Sequence, residues 1–259
     1  MKNELGVSVK FINKKNKICI VIPTYNNAGT IGQVIEDVRK YCKDIIVVND
    51  GCTDDTSTIL NSFGEAINVI EYGRNRGKGY ALIQGFYGAK AKGYTHVITI
   101  DADGQHFASD IPFLTKAMKD NPNGIIVGSR NLTQENMPRQ NTFANKFSNF
   151  WFWLQTGVNL PDTQSGFRLY TLSSLNWLKL ITSRYESELE LMVFASWNGV
   201  KITSTSVRVY YPPAEERVSH FRPIYDFIRI SILNTILCIG TVVYGAPRRL
   251  IRNFRRLLS

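Results

Sequence analysis

The chain has 259 residues, enough for one large α/β domain with an appendage or for two small domains. With 44% hydrophobic and 20% charged residues, its composition is that of a globular protein and argues against extended disorder. The net charge is +10, but five arginines crowd the last dozen residues beside an apolar segment. That arrangement suits an anionic membrane surface better than a DNA groove, so we expect a membrane partner and no nucleic acid.

The cysteines and the N-terminal stretch indicate the compartment. Cys19, Cys42, Cys52 and Cys238 show no C-x-x-C spacing, and the three histidines lie far apart. This pattern disfavours disulfides and zinc sites and favours reduced thiols in a cytosolic setting. The first seventeen residues contain no apolar core long enough for a signal peptide.

Strands and helices alternate over the first 130 residues. Apolar runs predict strands at 17–23, 44–50, 67–72, 95–101 and 124–130. Helices are predicted between them at 30–42 with Thr30 as N-cap, at 52–63 with Thr53 near its start, at 79–93, and after Ser109 as N-cap. This alternation predicts a mostly parallel sheet with helices on both faces, in which ligands bind beyond the carboxyl ends of the strands.

Three polar segments fall at those strand ends, namely Pro23–Asn27, Asn49–Asp50 and Asp101–Asp103. Taken alone, the last of these also fits a solvated turn. A strand extended through Asp103 would place both of its carboxylates on one side. Together with the Gln105 amide oxygen they suit Mg²⁺ or Mn²⁺, which would neutralise a nucleoside-diphosphate leaving group.

The glycine-rich segment "GRNRGKG", Gly73–Gly79, matches neither the Walker phosphate loop nor the dinucleotide-binding fingerprint. Two interpretations stay open for it. It is either a turn before a helix, or a place where the backbone closely approaches a nucleotide at a helix N-terminus.

Beyond residue 138 the pattern becomes helical and rich in aromatic residues. In "FANKFSNFWFWLQTG" a stripe holds Phe143, Phe147, Phe150, Trp151 and Leu154, with Phe152 and Trp153 on the other side. This segment is either a core helix or an apolar surface for a lipid substrate. Ser231–Ala246 is uncharged but shorter than the roughly 18–20 residues that span a bilayer, which favours an interfacial or re-entrant helix pinned by the following arginines.

Six segments occur in an order that resembles the family 2 inverting glycosyltransferases. They are "VIPTYNN", "VVNDGCTDDT", "NRGKGYAL", "DADGQH", "GSR" and "DTQSGFRLY". The likeness covers about residues 17 to 215 and is closest to the branch that acts on dolichol phosphate and other polyprenyl phosphates. It implies an α/β nucleotide-sugar-binding GT-A fold over residues 1–220, followed by an apolar helical tail with a basic end over residues 221–259.

The resemblance also implies residue roles. Pro23, Thr24 and Tyr25 would line the base pocket and Asp50 would bind the base, while Asn27 and Gly79 complete the expected donor-binding set. Asp101, Asp103 and Gln105 would hold the metal and the donor diphosphate. The chain departs from the family in having Asn27 where Glu is common, Cys52 in place of Ser, and "VSHFR" in place of Gly-x-Ser-Lys.

Arg130, Arg139 and Arg168 would cluster near the crevice and bind an anionic acceptor such as a lipid phosphate. The alternative is structural pairing with Asp162 or with Glu186, Glu188 and Glu190. A hydroxyl acceptor would need a protein base, for which Asp162 and Glu188 are the candidates, and His106 would have a supporting role. A phosphate acceptor, with a second pKa of about 6, needs none.

The hypothesis is a metal-dependent inverting glycosyltransferase, peripheral or monotopic on the cytoplasmic face of the membrane. It would move a hexose from a nucleotide sugar to a lipid-linked acceptor, with Asp103 and Asp162 as the catalytic residues. Two alternatives remain, a transferase that uses a hydroxyl acceptor and a catalytically idle nucleotide-sugar-binding scaffold.

Overall fold

The computed structural model describes residues 16–130, 139–176, 179–211 and 223–257, and in these ranges seven strands form one sheet. The strands are β1 (Ile18–Thr24), β2 (Ile45–Asn49), β3 (Asn68–Glu71), β4 (His96–Thr99), β5 (Ile125–Arg130), β6 (Arg168–Thr171) and β7 (Ile202–Val207). The helices are α1 (Ile31–Arg39), α2 (Thr56–Ser62), α3 (Lys78–Ala91), α4 (Ile111–Ala117), α5 (Arg139–Thr156), α6 (Ser187–Trp197), α7 (Pro223–Gly240) and α8 (Ala246–Leu257).

The sheet has the strand order β3-β2-β1-β4-β6-β5-β7. All neighbouring strands are parallel except β6, which runs antiparallel to both β4 and β5. The predicted five strands and the mostly parallel sheet are confirmed, whereas β6 and β7 were not predicted. Arg168, the first residue of β6, pairs with Thr99 and Val127, so the start of β6 meets the end of β4 and the middle of β5.

Helices cover both faces of the sheet because successive strand residues point to opposite sides. In β1, Cys19 and Val21 join one hydrophobic cluster with α3, α5, α6 and α7. Ile20 and Ile22 join a second cluster with α1, α2 and α4. The spacing that predicted α1 is confirmed, since Ile31, Val34, Ile35 and Val38 are its buried residues.

The two predicted N-caps behave differently in the structure. Thr30 stands at the N-cap of α1, but its hydroxyl donates to the carbonyl of Ala102 at 2.6 Å instead of capping the helix. The prediction for Ser109 is wrong, because α4 begins at Ile111 after Asp110, preceded by a 3-10 turn. The buried Asp110 carboxylate accepts from the backbone and guanidinium of Arg208 instead.

The C-terminal segment is part of the same core as the preceding domain. α7 continues through a π-helical turn (Thr241–Gly245) into α8. Leu233 and Leu237 are buried in the cluster that contains α5 and α6, and the Trp197 ring lies against Gly240 and Gly245. The expected boundary at 220–221 lies outside the described residues, so the separate tail stays a prediction, although its described part packs into the domain.

This helical run is longer than the sequence pattern indicated. Ile228–Phe254, 27 residues, is long and apolar enough to cross a membrane by length and composition. The sixteen-residue stretch that we predicted was shorter because it stopped before the first arginines. Only 22% of the apolar window is buried inside the protein, so most of its surface faces outward.

Leu237→Ala should lower the free energy of unfolding by about 2–5 kcal/mol, because it opens a cavity in the core shared by the tail and the domain. The matched control Ile236→Ala, at an exposed position one residue earlier, should change it by about 0.5 kcal/mol or less. Urea unfolding measures both. Equal, small effects would mean that the tail contributes nothing to the stability of the domain.

Candidate active site

The acidic segment leaves the sheet as a turn. β4 ends at Thr99, and Asp103 lies in a turn that continues through Gly104 at φ 73°, so the predicted extended strand through Asp103 is wrong. The turn still brings the carboxylates together. Burial and the neighbouring Asp101 carboxylate raise the pKa of Asp103 to about 6. The Gln105 backbone N–H donates to Asp103 Oδ1 at 3.0 Å and holds this arrangement.

A lysine that the sequence analysis did not select lies at the centre of the site. Lys78 Nζ is 2.7 Å from Asp101 Oδ1 and 2.8 Å from Glu188 Oε2. Burial alone would raise the pKa of Asp101, but the Lys78 ammonium holds it below its usual value. The position of Lys78 follows from Gly77, whose φ of 95° directs the chain into the first turn of α3.

The residues fit a divalent cation. Asp101, Asp103 and Gln105 offer hard oxygen atoms of the kind that Mg²⁺ and Mn²⁺ prefer. Among the described residues no group of three His, Cys, Asp or Glu side chains is arranged to hold a metal. The metal role of Asp101, Asp103 and Gln105 therefore stays a prediction, which rests on the chemistry of their oxygen atoms and on the closeness of the two carboxylates. The raised pKa of Asp103 reports uncompensated negative charge, which a cation would relieve.

His106 is partly buried beside this segment, and its ring packs on Phe167 with centroids 5.3 Å apart. Burial lowers its pKa to about 4, so the imidazole is neutral near pH 7. Its Nδ1 has no hydrogen-bond partner among the described residues.

Asp50 organises the glycine-rich segment. Its buried carboxylate accepts hydrogen bonds from the backbone N–H groups of Arg76 at 2.7 Å and Gly77 at 2.8 Å. Gly73–Gly79 is therefore a turn before a helix, the first of the two interpretations. A Cβ at Gly79 would collide with the Ser187 side chain, so this glycine lets α3 pack on α6. The structure thus gives Gly79 a packing role, while the donor contact that we expected stays a prediction.

The loop after β1 is held by its own side chains. The Asn27 amide oxygen accepts from the Thr24 hydroxyl at 3.2 Å and from the Tyr25 backbone N–H at 3.3 Å. Pro23 is buried at the end of β1, and the Asp50 backbone N–H donates to the carbonyl of Thr24 at 2.9 Å. The structure therefore places the expected base-binding residues in one loop that Asn27 holds in shape, and their contact with a base stays a prediction.

Asp162 is fully buried and anchors Arg130. Its carboxylate accepts from Arg130 Nε at 2.7 Å, Nη2 at 3.0 Å and the backbone N–H at 3.1 Å. Asn145 and the backbone of Gln164 donate two further hydrogen bonds. Burial works in the opposite direction, but the Arg130 hydrogen bonds hold the pKa of Asp162 below its usual value. The expectation of Asp162 as a base is therefore corrected, because its oxygens are already engaged.

Arg168 is also structural. It has no exposed surface and donates to the Thr163 carbonyl at 3.0 Å, the Glu188 carbonyl at 3.2 Å and the Tyr170 hydroxyl at 3.3 Å. The expected acceptor contact of Arg168 is wrong for this reason, and the alternative of structural pairing holds. Arg139 begins α5, but its side chain lies outside the described residues.

Gly166 lies in the same motif as Arg168, and a steric constraint that the sequence did not show requires a glycine at this position. A Cβ at this position would collide with the Asp101 carboxylate. The glycine therefore allows the segment before β6 to approach the acidic turn closely.

Asp162→Asn should lower the free energy of unfolding at pH 7 by about 3 kcal/mol, because it leaves the Arg130 guanidinium without its counter-charge. The folded-state pKa of Asp162 is depressed, so its contribution is present above the unfolded value of about 3.9 and is lost as the pH falls through the folded-state pKa. Denaturant titrations at several pH values should show the difference between wild type and variant shrinking towards low pH. Exposed Asp120→Asn is the control, and a difference that grows on acidification would contradict the assignment.

Comparison with known proteins places this geometry in a family. Residues 19–177 match the family described as glycosyl transferase family 2. An uncharacterized protein of Methanocaldococcus jannaschii is 31% identical over 203 residues, covering 76% of this chain and 83% of its own length. The UDP-N-acetylglucosamine–dolichyl-phosphate N-acetylglucosaminyltransferase of Methanococcus voltae is 29% identical over 215 residues, covering 75% and 86%.

The fold has solved counterparts. Glucosyl-3-phosphoglycerate synthase from Mycobacterium tuberculosis, crystallised with Mn²⁺, UDP-glucose and phosphoglyceric acid, aligns with a TM-score of 0.63. The alignment covers 88% of this chain and 80% of that one at 19% sequence identity, which confirms the expected GT-A fold. With the family match spanning more than half of the chain, this protein belongs to glycosyl transferase family 2 and is a glycosyltransferase.

Proposed function

We propose that this glycosyltransferase moves a hexose from a nucleoside-diphosphate sugar to a polyprenyl phosphate with inversion at the anomeric carbon, using Mg²⁺ or Mn²⁺. The observation that carries the proposal is the pair of carboxylates, Asp101 and Asp103, crowded at the carboxyl edge of the sheet beside Lys78. A mixed cluster of this kind suits a diphosphate with its cation. The Mn²⁺ and UDP-glucose bound to the mycobacterial synthase in its crystals support the same donor chemistry.

Each residue has a defined task in this proposal. Asp101, Asp103 and Gln105 would hold the cation, which when bound neutralises charge on the leaving diphosphate. Asp50 keeps the glycine-rich turn closed against the base pocket through Arg76 and Gly77. Displacement in one step needs only an acceptor oxygen on the opposite face of the sugar, so no covalent intermediate is required.

An anionic acceptor follows from the engaged carboxylates. Both carboxylates considered as bases are paired with a cation, Asp162 with Arg130 and Glu188, through Oε2, with Lys78. A phosphate acceptor is largely dianionic near neutral pH and needs no protein base. Arg130, still partly exposed and fixed in orientation by Asp162, is the cation that we assign to it. The dolichyl phosphate in the name of the Methanococcus voltae relative supports this acceptor class.

Asp103→Asn should lower transfer at least about a hundredfold, because it removes one of the charged oxygen ligands of the cation. Its folded-state pKa is raised, so replacing the acid with a neutral amide should leave the thermal midpoint unchanged or higher. The stabilisation of the wild type by Mn²⁺ with a nucleoside diphosphate should disappear in the variant.

Radiolabelled hexose transfer and thermal-shift assays measure these effects, with the exposed Asp120→Asn as the control. Near-normal turnover of the Asp103 variant would defeat the metal assignment. Nucleotide binding without turnover on any phosphate or hydroxyl acceptor would favour the scaffold alternative.

We also propose that the enzyme is monotopic on the cytoplasmic face, with its C-terminal helices lying in the plane of the membrane. One side of this run packs on the domain from Leu233 to Arg252. The contacts include polar ones, such as Gln155 Nε2 to Asn234 Oδ1 at 3.0 Å. Crossing the bilayer would draw this polar flank into hydrocarbon, which is unfavourable.

The opposite side of the run supports the same orientation. Its exposed apolar residues are Ile228, Ile232, Ile236, Ile239, Val242, Val243, Leu250, Ile251 and Phe254. In α8 the apolar positions recur at i, i+1 and i+4, with arginines on the other face, as in interfacial helices. The arginines described in α8 bond the protein itself, because Arg249 donates to the Thr156 carbonyl at 2.9 Å and Arg248 to Asn198 Oδ1 at 2.7 Å.

Val243→Glu should weaken binding to anionic lipid vesicles by about tenfold to a hundredfold, because Val243 is 73% exposed and contributes its apolar surface to the membrane. Vesicle sedimentation measures the partition. Tyr87→Glu, at an exposed position on α3, is the matched control and should bind as the wild type does. Unchanged partition of the Val243 variant would refute the in-plane arrangement.

A further inference from the structure

Helix α5 buries several polar side chains beside Phe152 and exposes large aromatic ones on its outer side. Its buried side carries Asn145, Ser148 and Gln155, which bond to groups of the domain and of α7. Its outer side exposes Phe150 at 52% and Trp153 at 50%. An exposed pair of large aromatic residues on one helix face indicates a binding surface for apolar groups.

A groove runs along this outer side. It has a volume of about 490 Å³ and lies between α5 and the segment that ends at Pro161, with Leu160 at its buried base. That volume is within the range of about 300–1,000 Å³ that holds drug-sized ligands. Lys146 lies at its margin, and the lining contains no acidic residue. The groove therefore suits an amphiphile with an apolar body and a negative charge.

Asn149 in the lining is not free to bind a ligand. It donates from Nδ2 to the Pro161 carbonyl at 2.8 Å, and its Oδ1 accepts from the backbone N–H of Thr163 at 3.0 Å and the Thr163 hydroxyl at 2.8 Å. The surfaces left to a ligand are the aromatic rings, the apolar base of the groove and the exposed side chains of Asn159 and Lys146.

The groove is connected to the reaction centre by a short chain of contacts. Pro161 forms its wall, and the next residue, Asp162, holds the Arg130 guanidinium through two side-chain hydrogen bonds. Arg130 is the last residue of β5, and the carboxyl end of β5 lies at the same edge of the sheet as the end of β4, from which the acidic turn leaves. A ligand whose charged end reaches Arg130 can therefore extend its apolar body along α5.

We propose that this groove binds the isoprenoid chain of the acceptor, next to its phosphate, between the Phe150 and Trp153 rings and the Leu160–Pro161 wall. The inference rests on the proposed function, and it adds the site at which the enzyme binds the lipid part of its substrate and distinguishes long chains from short ones. Apolar contact in the groove makes longer isoprenoid phosphates better acceptors than short ones.

The test compares geranyl, farnesyl and undecaprenyl phosphate as acceptors for the full-length enzyme in one detergent. In the wild type, kcat/KM should rise with chain length. Trp153→Ser should lower kcat/KM for undecaprenyl phosphate by about tenfold, with the loss in KM, and leave geranyl phosphate within about twofold. The control Phe113→Ser, at a 49% exposed aromatic residue on α4, should leave the whole series unchanged.

The outcomes separate the two proposals. Equal losses for all three acceptors in the Trp153 variant, or an unchanged series, would overturn the groove assignment while the proposed function stands. Equal losses accompanied by weaker vesicle binding would assign this face to membrane lipid instead. Absence of transfer to any of the three phosphates by the wild type would overturn the proposed function itself and this inference with it.

Discussion

The carboxyl edge of the sheet depends on the neutralisation of buried carboxylates. Removing a carboxylate from water costs several kcal/mol unless a cation and hydrogen bonds compensate for it. Lys78 forms salt bridges with Asp101 and Glu188, and Arg130 forms one with Asp162. Within the part of the chain that the structure describes, no salt bridge reaches Asp103, and its pKa is raised accordingly. The negative charges of the other three carboxylates are thus neutralised by basic side chains, and Asp103, where the proposed cation would bind, is the exception.

The sequence predicted the main layers of the fold because apolar runs and helical spacing are local signals. The strands β1 to β5 and the convergence of their ends followed from this pattern. β6 escaped prediction because it takes its place from pairing with β4 and β5 on either side, which are distant in sequence. Its antiparallel direction nevertheless decides the site, since it brings the segment before Arg168 to the acidic turn.

Residue roles were harder to predict than residue positions. The side chain of Asp162 could act as a base and that of Arg168 could bind a phosphate, so the sequence suggested these roles. The groups that engage both side chains become their neighbours only in the folded chain. Lys78 was missed because its partners lie 23 and 110 positions further along the chain. Gly79 and Gly166 serve close packing against side chains distant in sequence, which no local pattern reveals. The two-sided aromatic pattern of α5 left core and surface undecided, and the structure exposes Phe150 while it buries Phe152.

The arginines of α8 complete two helices that lie far from them in the sequence. Arg249 bonds the terminal carbonyl of α5 across 93 residues, and Arg252 bonds that of α6 across 55. A cation near these carbonyls complements the negative end of each helix dipole. A chain that stops before α8 would therefore lack the cation at the ends of both α5 and α6, so these two helices share one stabilising element that neither of them contains.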